Sequence, residues 1–341
     1  MFLRALFGTY RHRTCPIILA IGIGGFGCAS YAAPRAASAE DAYARGDYVT
    51  AIHEFRRRSE KGEALAQFNL GVMYDKGEGA PQDFVQAARW YRRAASQGEA
   101  MAQYNLGVLF QEGQGVQQDF KEAARLFLAA AKQGIPLGQF NLGILYNRGL
   151  GVAQDYAEAR RWFRLAADRG LALAQFNMAV LYHHGLGVAT DHREAARWLR
   201  LAADQGLAPA QFNLGVMYQQ GIGVEKNETE AAAWYMRAAQ QGDLGAQHNL
   251  GVLYAQGLGL AKDDVQAYFW LSLASLGGYE ASGPYRDQLA ERMNRQQAFE
   301  ILRLLSKWQP QPSEITRDAE DLWSKECCDK TAFGPKSEGL H

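Results

Sequence analysis

The chain has 341 residues, with 36 Lys and Arg balanced by 36 Asp and Glu, and 48% of its residues are hydrophobic. An 11% aromatic content and a charged fraction of 21% exclude an intrinsically disordered chain, and the zero formal charge excludes binding to nucleic acid or an anionic membrane through bulk electrostatics. Four cysteines, two of them within the first 28 residues, are too few for a disulfide-built domain.

Residues 1–39 read as a secretory signal peptide. Arg4, Arg11 and Arg13 precede an apolar run from Cys15 to Ala29, and small residues follow, so that cleavage fits after Ala32 or after Ala39. The apolar run is short for a bilayer span and is diluted by glycine, which disfavours an uncleaved membrane anchor. Gly22, Gly24 and Gly27 spell a dinucleotide-binding fingerprint, but it lies inside the apolar run without the strand and helix that would hold a pyrophosphate. Cys28 could carry a lipid, although Gly25 stands where a lipoprotein signal places leucine. Removing residues 1–33 leaves 33 basic against 36 acidic residues, a mildly acidic exported chain. The expected location is the periplasm or the exterior.

A 36-residue period follows. The block AQFNLG at 66–71 returns as AQYNLG at 102–107, GQFNLG at 138–143, AQFNMA at 174–179, AQFNLG at 210–215 and AQHNLG at 246–251. A second block keeps step, with Trp90, Leu126, Trp162, Trp198, Trp234 and Trp270 each 23 residues after the glutamine of the first. Six gapless repeats therefore span 64–279. Each predicts two helices. Ala66, Leu70 and Met73 recur at helical spacing, Gly77-Glu78-Gly79 breaks the helix, and a second helix opens at Asp83. Asp83…Gln86, Asp119…Glu122, Asp155…Glu158, Asp191…Glu194, Asn227…Glu230 and Asp263…Gln266 read as capping boxes, which makes these residues structural and not catalytic acids. The glycines at 98, 134, 170, 206, 242 and 278 close the second helices, and small Gly71 and Ala87 let paired helices approach.

A unit this small cannot bury its apolar face alone, so the repeats must stack, with caps at both ends. Residues 38–63 supply a short-looped helix pair at the start. Residues 280–308 supply helices at the end, with Leu289, Met293, Phe299, Leu302 and Leu305 expected to face inward, and 309–341 reads as a flexible tail. The fold class is all-α, an α-solenoid of helix-turn-helix repeats.

The residues Asn69-Leu70-Gly71, Tyr74, Asp83, Ala87, Trp90, Ala94-Ala95 and Gly98, with their counterparts in the other repeats, resemble the Sel-one-like repeat (SLR) over 64–279. The pair at 38–62 is closer to a plain tetratricopeptide repeat. The resemblance implies a right-handed solenoid that binds a protein or peptide in a concave groove lined by its first helices, in envelope regulation or assembly. Asn69, Asn105, Asn141, Asn177, Asn213 and Asn249 would then form an amide ladder, able to hold an extended peptide or to bond the neighbouring repeat's backbone. Phe68, Tyr104, Phe140, Phe176 and Phe212 run parallel, broken by His248. The positions that vary are Asp75/Lys76, Gln111/Glu112, Asn147/Arg148, His183/His184, Gln219/Gln220 and Ala255/Gln256; partner specificity belongs there, above all at Arg148, His183, His184 and Gln220.

An envelope hydrolase is the rival function. Cysteine-rich relatives have been linked to β-lactam hydrolysis, but this chain has no cysteine between 29 and 326, and no Ser-x-x-Lys. His183, His184 and His192 cluster in one repeat without the helical spacing zinc prefers, so no metal or other cofactor is expected. Cys327-Cys328 could form a vicinal disulfide, pair with another chain or stay as incidental thiols. The sequence reading is a non-enzymatic adaptor.

Overall fold

The computed structural model describes residues 38–317. The signal peptide with Cys28, and the Cys327-Cys328 pair, lie outside the described residues. Two compact units divide between Gln154 and Asp155. The first holds α1 (Ala39–Ala44), α2 (Tyr48–Glu60), α3 (Ala64–Lys76), α4 (Phe84–Ser96), α5 (Ala100–Glu112), α6 (Phe120–Lys132) and α7 (Pro136–Arg148). The second holds α8 (Tyr156–Asp168), α9 (Ala172–His184), α10 (His192–Asp204), α11 (Ala208–Gln220), α12 (Glu228–Gln240), α13 (Leu244–Gln256), α14 (Asp264–Leu276), α15 (Ser282–Ala290) and α16 (Arg295–Lys307). No strand occurs among the described residues. Within each unit consecutive helices pack on one another, α3 on α4 and α4 on α5, α11 on α12 and α12 on α13, which is α-solenoid architecture.

The repeated residues build the hairpin. In the first repeat, α3 stops at Gly77, whose left-handed backbone (φ 73°) returns its N–H to Met73 O. Gly79 follows at φ 77°, and a Cβ there would lie 2.4 Å from the Tyr48 carbonyl, so this turn needs glycine for both reasons. Asp83 N–H then donates to Tyr74 O at 2.9 Å, and its carboxylate accepts from the N–H groups of Val85 and Gln86, starting α4. The expected reciprocal half of the capping box does not form in these repeats. Glu122, Glu158 and Glu194 turn outward to Arg125, Arg161 and Arg197, three residues on, where a full positive charge is a stronger partner than a backbone N–H. Both halves are present only at the ends, at Ser38–Asp41 and Asn294–Gln297, among the described residues.

The two helices of a repeat differ in how they are buried. In α3, Ala66 to Met73 is buried on every side, whereas α4 buries one face carrying Ala87, Trp90, Tyr91 and Ala94. Gly71 is the socket for Tyr91: a Cβ there would sit 2.6 Å from the ring. Gly107 with Phe127 and Gly215 with Tyr235 repeat the fit at 2.7 Å. The fourth repeat alters both sides at once, with Ala179 and Leu199 in place of glycine and an aromatic. The tryptophans seal the outer flank, with Arg93 over Trp90 at 4.7 Å and Arg237 over Trp234 at 4.4 Å.

At the start of the first unit, Ala39, Ala42, Ile52 and Phe55 cover Leu70 and Met73. At the end of the second, α16 faces inward with Ile301, Leu304, Leu305 and Trp308. Leu289 is buried as expected, but Phe299 and Leu302 are 72% and 66% exposed. The spacing explains the correction: 301, 304, 305 and 308 form one helical stripe, and 299 and 302 fall on the other side. Residues 309–317, assigned to the flexible tail by sequence, are hydrogen-bonded to the stack as a strap that ends in a helical turn at 314–317.

The socket is testable. Gly107→Ala should lower stability by roughly 1–3 kcal/mol through overpacking, measured by urea unfolding. Adding Phe127→Leu, the pairing the fourth repeat already uses, should recover a substantial part of the loss.

Candidate functional site

The asparagine ladder lies deeper than an open groove would place it. In the first unit Asn69, Asn105 and Asn141 are buried, and in the second Asn177 and Asn213 are buried while Asn249 is half-buried. The Asn177 and Asn213 amides donate to Leu173 O and Pro209 O at 2.8 Å, one turn back in their own helices. Asn249 donates to the Tyr235 hydroxyl, across to the preceding repeat. Where partners are seen, they belong to the same helix or to a neighbouring side chain, and not to the neighbouring repeat's backbone.

The variable pair behaves differently at its two positions. The first member turns inward: Asp75 is buried and accepts from the Tyr91 hydroxyl at 3.0 Å, and Gln219 accepts from Tyr235 at 2.7 Å. The second member is half-buried at Lys76 and Glu112 and exposed at Arg148 in the first unit, and exposed at His184, Gln220 and Gln256 in the second. An arginine, a histidine and two glutamines thus occupy one structural position.

The histidines do come together. The rings of His183 and His184 lie 4.8 Å apart, and those of His183 and His192 lie 4.9 Å apart. Burial first, and then the two neighbouring imidazoles, lower the pKa of His183 to about 4. Among the described residues no group of three or more His, Cys, Asp or Glu has a metal-holding arrangement.

One pairing with catalytic residue types was not visible in the sequence. His248 Nδ1 lies 2.9 Å from Ser282 Oγ, across 34 residues. Ser282 has no exposed surface, and the His248 ring is packed against Tyr279 and Tyr285. The hydroxyl is closed to a substrate, and the contact seats α15 on the last repeat.

The second feature missed by sequence is a glutamine relay. Gln67, Gln103 and Gln139 in the first unit donate to Ser59 O, Ala95 O and Ala131 O in the preceding helix, at 3.1 to 3.3 Å. Gln175, Gln211 and Gln247 do the same in the second unit, to Ala167 O, Ala203 O and Ala239 O. A second glutamine closes four of the junctions: Gln97 donates to Gln67 Oε1, Gln205 to Gln175 Oε1, Gln133 to Gln103 Oε1 and Gly98 O, and Gln241 to Gln211 Oε1 and Gly206 O. The signal was present in the constant Gln of every AQFNLG block.

The Sel1 repeat matches residues 64–99, 100–135, 136–171, 172–207, 208–243 and 245–279. The chain belongs to the Sel1 repeat family. Sel1 repeat proteins are generally protein–protein interaction scaffolds and are typically not enzymes. A solved structure of c5321, a protective antigen of uropathogenic Escherichia coli with an SLR fold, is 33% identical, with a TM-score of 0.69. The match covers 82% of this chain but only 65% of the antigen's length. A Sel1 repeat protein from Oxalobacter formigenes is 30% identical over 69% of this chain and 94% of its own, with a TM-score of 0.62. No curated protein matches. Within its Sel1 repeats the chain departs from the repeat pattern at Leu126, where tryptophan is usual, and Leu126 is buried in the same place.

The depressed pKa of His183 gives stability a pH dependence. Between pH 6.5, its ordinary pKa, and about 4 the unfolded chain binds the proton and the folded chain does not. This contribution is intact above pH 6.5 and is lost as pH falls through that window. Burial lowers the pKa of His248 in the same direction, so some acid sensitivity will remain in any His183 variant. Thermal unfolding should show that His183→Gln flattens the decline in Tm between pH 7 and 4.

Proposed function

We propose that this Sel1 repeat protein is an exported, non-catalytic scaffold that holds a protein or peptide partner on the C-terminal ends of the first helices of its second unit, at His184 and Gln220. The observation that carries the reading is the confinement of variation. From repeat to repeat the second-helix cap and the first relay glutamine are kept, while the exposed position of the variable pair changes from Arg148 to His184 to Gln220. A surface that is free of packing demands and chemically different in each repeat is suited to reading a partner, and the scaffold role general to the family supports the same conclusion. Of the ten groove residues expected from sequence, Arg148, His184 and Gln220 are exposed enough to meet a partner, and the asparagines and His183 would act by shaping the helix that presents them.

Export is proposed from the N-terminal sequence, with its basic start, apolar run and two cleavage sites after Ala32 and Ala39. Among the described residues no helix is long and apolar enough to cross a membrane. The periplasm or the exterior, in envelope regulation or assembly, is the proposed setting.

The test is in-cell crosslinking of the tagged chain, comparing wild type with His184→Glu/Gln220→Glu. Both residues are exposed, so the variant should unfold within about 2 °C of wild type, a shift corresponding to roughly 0.5 kcal/mol or less. A specific partner should be captured by wild type and lost by the folded variant. Capture of nothing by wild type, or equal capture by both, would contradict the proposed face.

A further inference from the structure

The strap shows which chemistry the edge of the stack accepts. It crosses the junction between α10 and α11, where the Gly206 carbonyl and the Gln241 side chain form a polar node. Ser313 N–H donates to Gln241 Oε1 at 2.8 Å, and Ser313 Oγ donates to Gly206 O at 2.9 Å. Thr316 Oγ1 accepts from Ala208 N–H at 3.0 Å and donates to Gln241 Oε1 at 2.7 Å. Gln311 N–H donates to Gln240 O at 2.8 Å, and Pro310 lies over Gly242. The node is thereby saturated: Gly206 O and Gln241 Oε1 each accept two hydrogen bonds. Thr316 is 3% exposed at the centre of the contact.

Every group the strap uses is a backbone atom or the amide of a repeated glutamine, so the site must recur with the repeat. Three repeats earlier, in the first unit, Gly98, Ala100, Lys132, Gln133 and Gly134 occupy the places of Gly206, Ala208, Gln240, Gln241 and Gly242. Gln133 already donates to Gly98 O at 3.0 Å and to Gln103 Oε1 at 2.9 Å, matching Gln241 at 2.9 and 2.7 Å. Gly98 has φ +93° against +96° for Gly206, and a Cβ built on it would meet nothing within 4 Å, whereas one on Gly206 would meet Ser313. The node is formed and uncovered among the described residues. At Gly62–Gln97 and Gly170–Gln205 the residues are present, but Gln97 donates to Gln67 Oε1 and Gln205 to Gln175 Oε1 and Leu201 O instead of to the glycine carbonyl, and two further junctions lack a part. Pro136 offers no N–H at the position of Ala208, and Gly277 replaces the glutamine after Gly242.

We infer that the Gly98–Gln133 edge of the first unit is a peptide-docking site, and that its occupant is a segment of another protein built like residues 309–317. That segment is a proline-containing extended run leading into a Ser-x-x-Thr helical turn. The strap of a second copy is a poor competitor, because in its own chain it is held beside its node at a high effective concentration. The flanking side chains support a separate occupant: Glu99, Met101 and Ile135 stand in place of Leu207, Pro209 and Asp243, so the hydroxyl-binding centre is shared and the flanks are not. This deepens the scaffold reading, on which it rests, by naming a second surface and the chemistry of its partner.

The probe is a blocked synthetic peptide of residues 309–317, QPQPSEITR, titrated into the full chain, beside a control peptide with both hydroxyl residues changed to alanine. The wild-type chain should bind the first peptide saturably, with at least tenfold weaker binding of the control. Gln133→Ala should reduce binding at least tenfold, and Gln205→Ala, at a junction of the second unit, should not. Hydrogen exchange on wild type, which needs no variant to fold, should slow at 98–101 and 133–135. No saturable binding, equal binding of the control peptide, or protection at 206–208 by exchange with the strap would each overturn the inference. Crosslinking that captures a partner equally with Gln133→Ala and loses it with His184→Glu/Gln220→Glu would leave the scaffold reading standing and still overturn this site.

Discussion

The structure depends on one buried hydrogen bond made six times. Each first helix begins with a glutamine whose amide reaches back to a carbonyl near the end of the preceding second helix, from Gln67 to Ser59 through Gln247 to Ala239. These end carbonyls lack an intrahelical partner and accept one hydrogen bond from the glycine that follows the helix, as Ala95 O does from Gly98 N–H, which leaves a second lone pair buried at the junction. A solenoid buries such an end at every junction. The glutamine meets the carbonyl, sets the distance between repeats and leaves its own Oε1 for the next glutamine along, as Gln103 does for Gln133.

Much of the remaining design follows from that spacing. With neighbours held close, α3 and its equivalents are enclosed on all sides, which is why Gly71, Gly107 and Gly215 are the only size that admits the opposing aromatic rings. Enclosure also buries Asn69, Asn105, Asn141, Asn177 and Asn213 and leaves Arg148, His184, Gln220 and Gln256 exposed at the second position of the variable pair. The polar edge that the relay creates is chemically uniform, because it consists of backbone groups and glutamine amides. The strap uses it through the hydroxyls of Ser313 and Thr316.

The fold was legible because its signals are local and repeated. The 36-residue step, the cap at Asp83 and the turn at Gly77 to Gly79 each act within a dozen residues, and the structure places all of them as read. What was not legible needed three-dimensional neighbours. The outward swing of Glu122 depends on an arginine charge competing with a backbone N–H. The side of α16 that faces the stack depends on where α14 lies, and so Phe299 and Leu302 were assigned to the wrong face. The relay glutamines were visible only as a register mark, because an amide's partner eight residues away across a turn has no sequence signature. The strap was hidden for the same reason, since Ser313 and Thr316 bond to residues more than 70 positions earlier.

The relay glutamine holds successive repeats together. Replacing Gln103 with methionine keeps the length and most of the volume of the side chain while removing both amide functions. Urea unfolding should then show a loss of about 1–3 kcal/mol, from the Gln103 bond to Ala95 O and the Gln133 bond to Gln103 Oε1 at about 0.5–1.5 kcal/mol each. Hydrogen exchange should rise at the junction between α4 and α5. A variant within about 0.5 kcal/mol of wild type, the range of an ordinary surface change, would contradict the claim and leave apolar packing alone to set the stack.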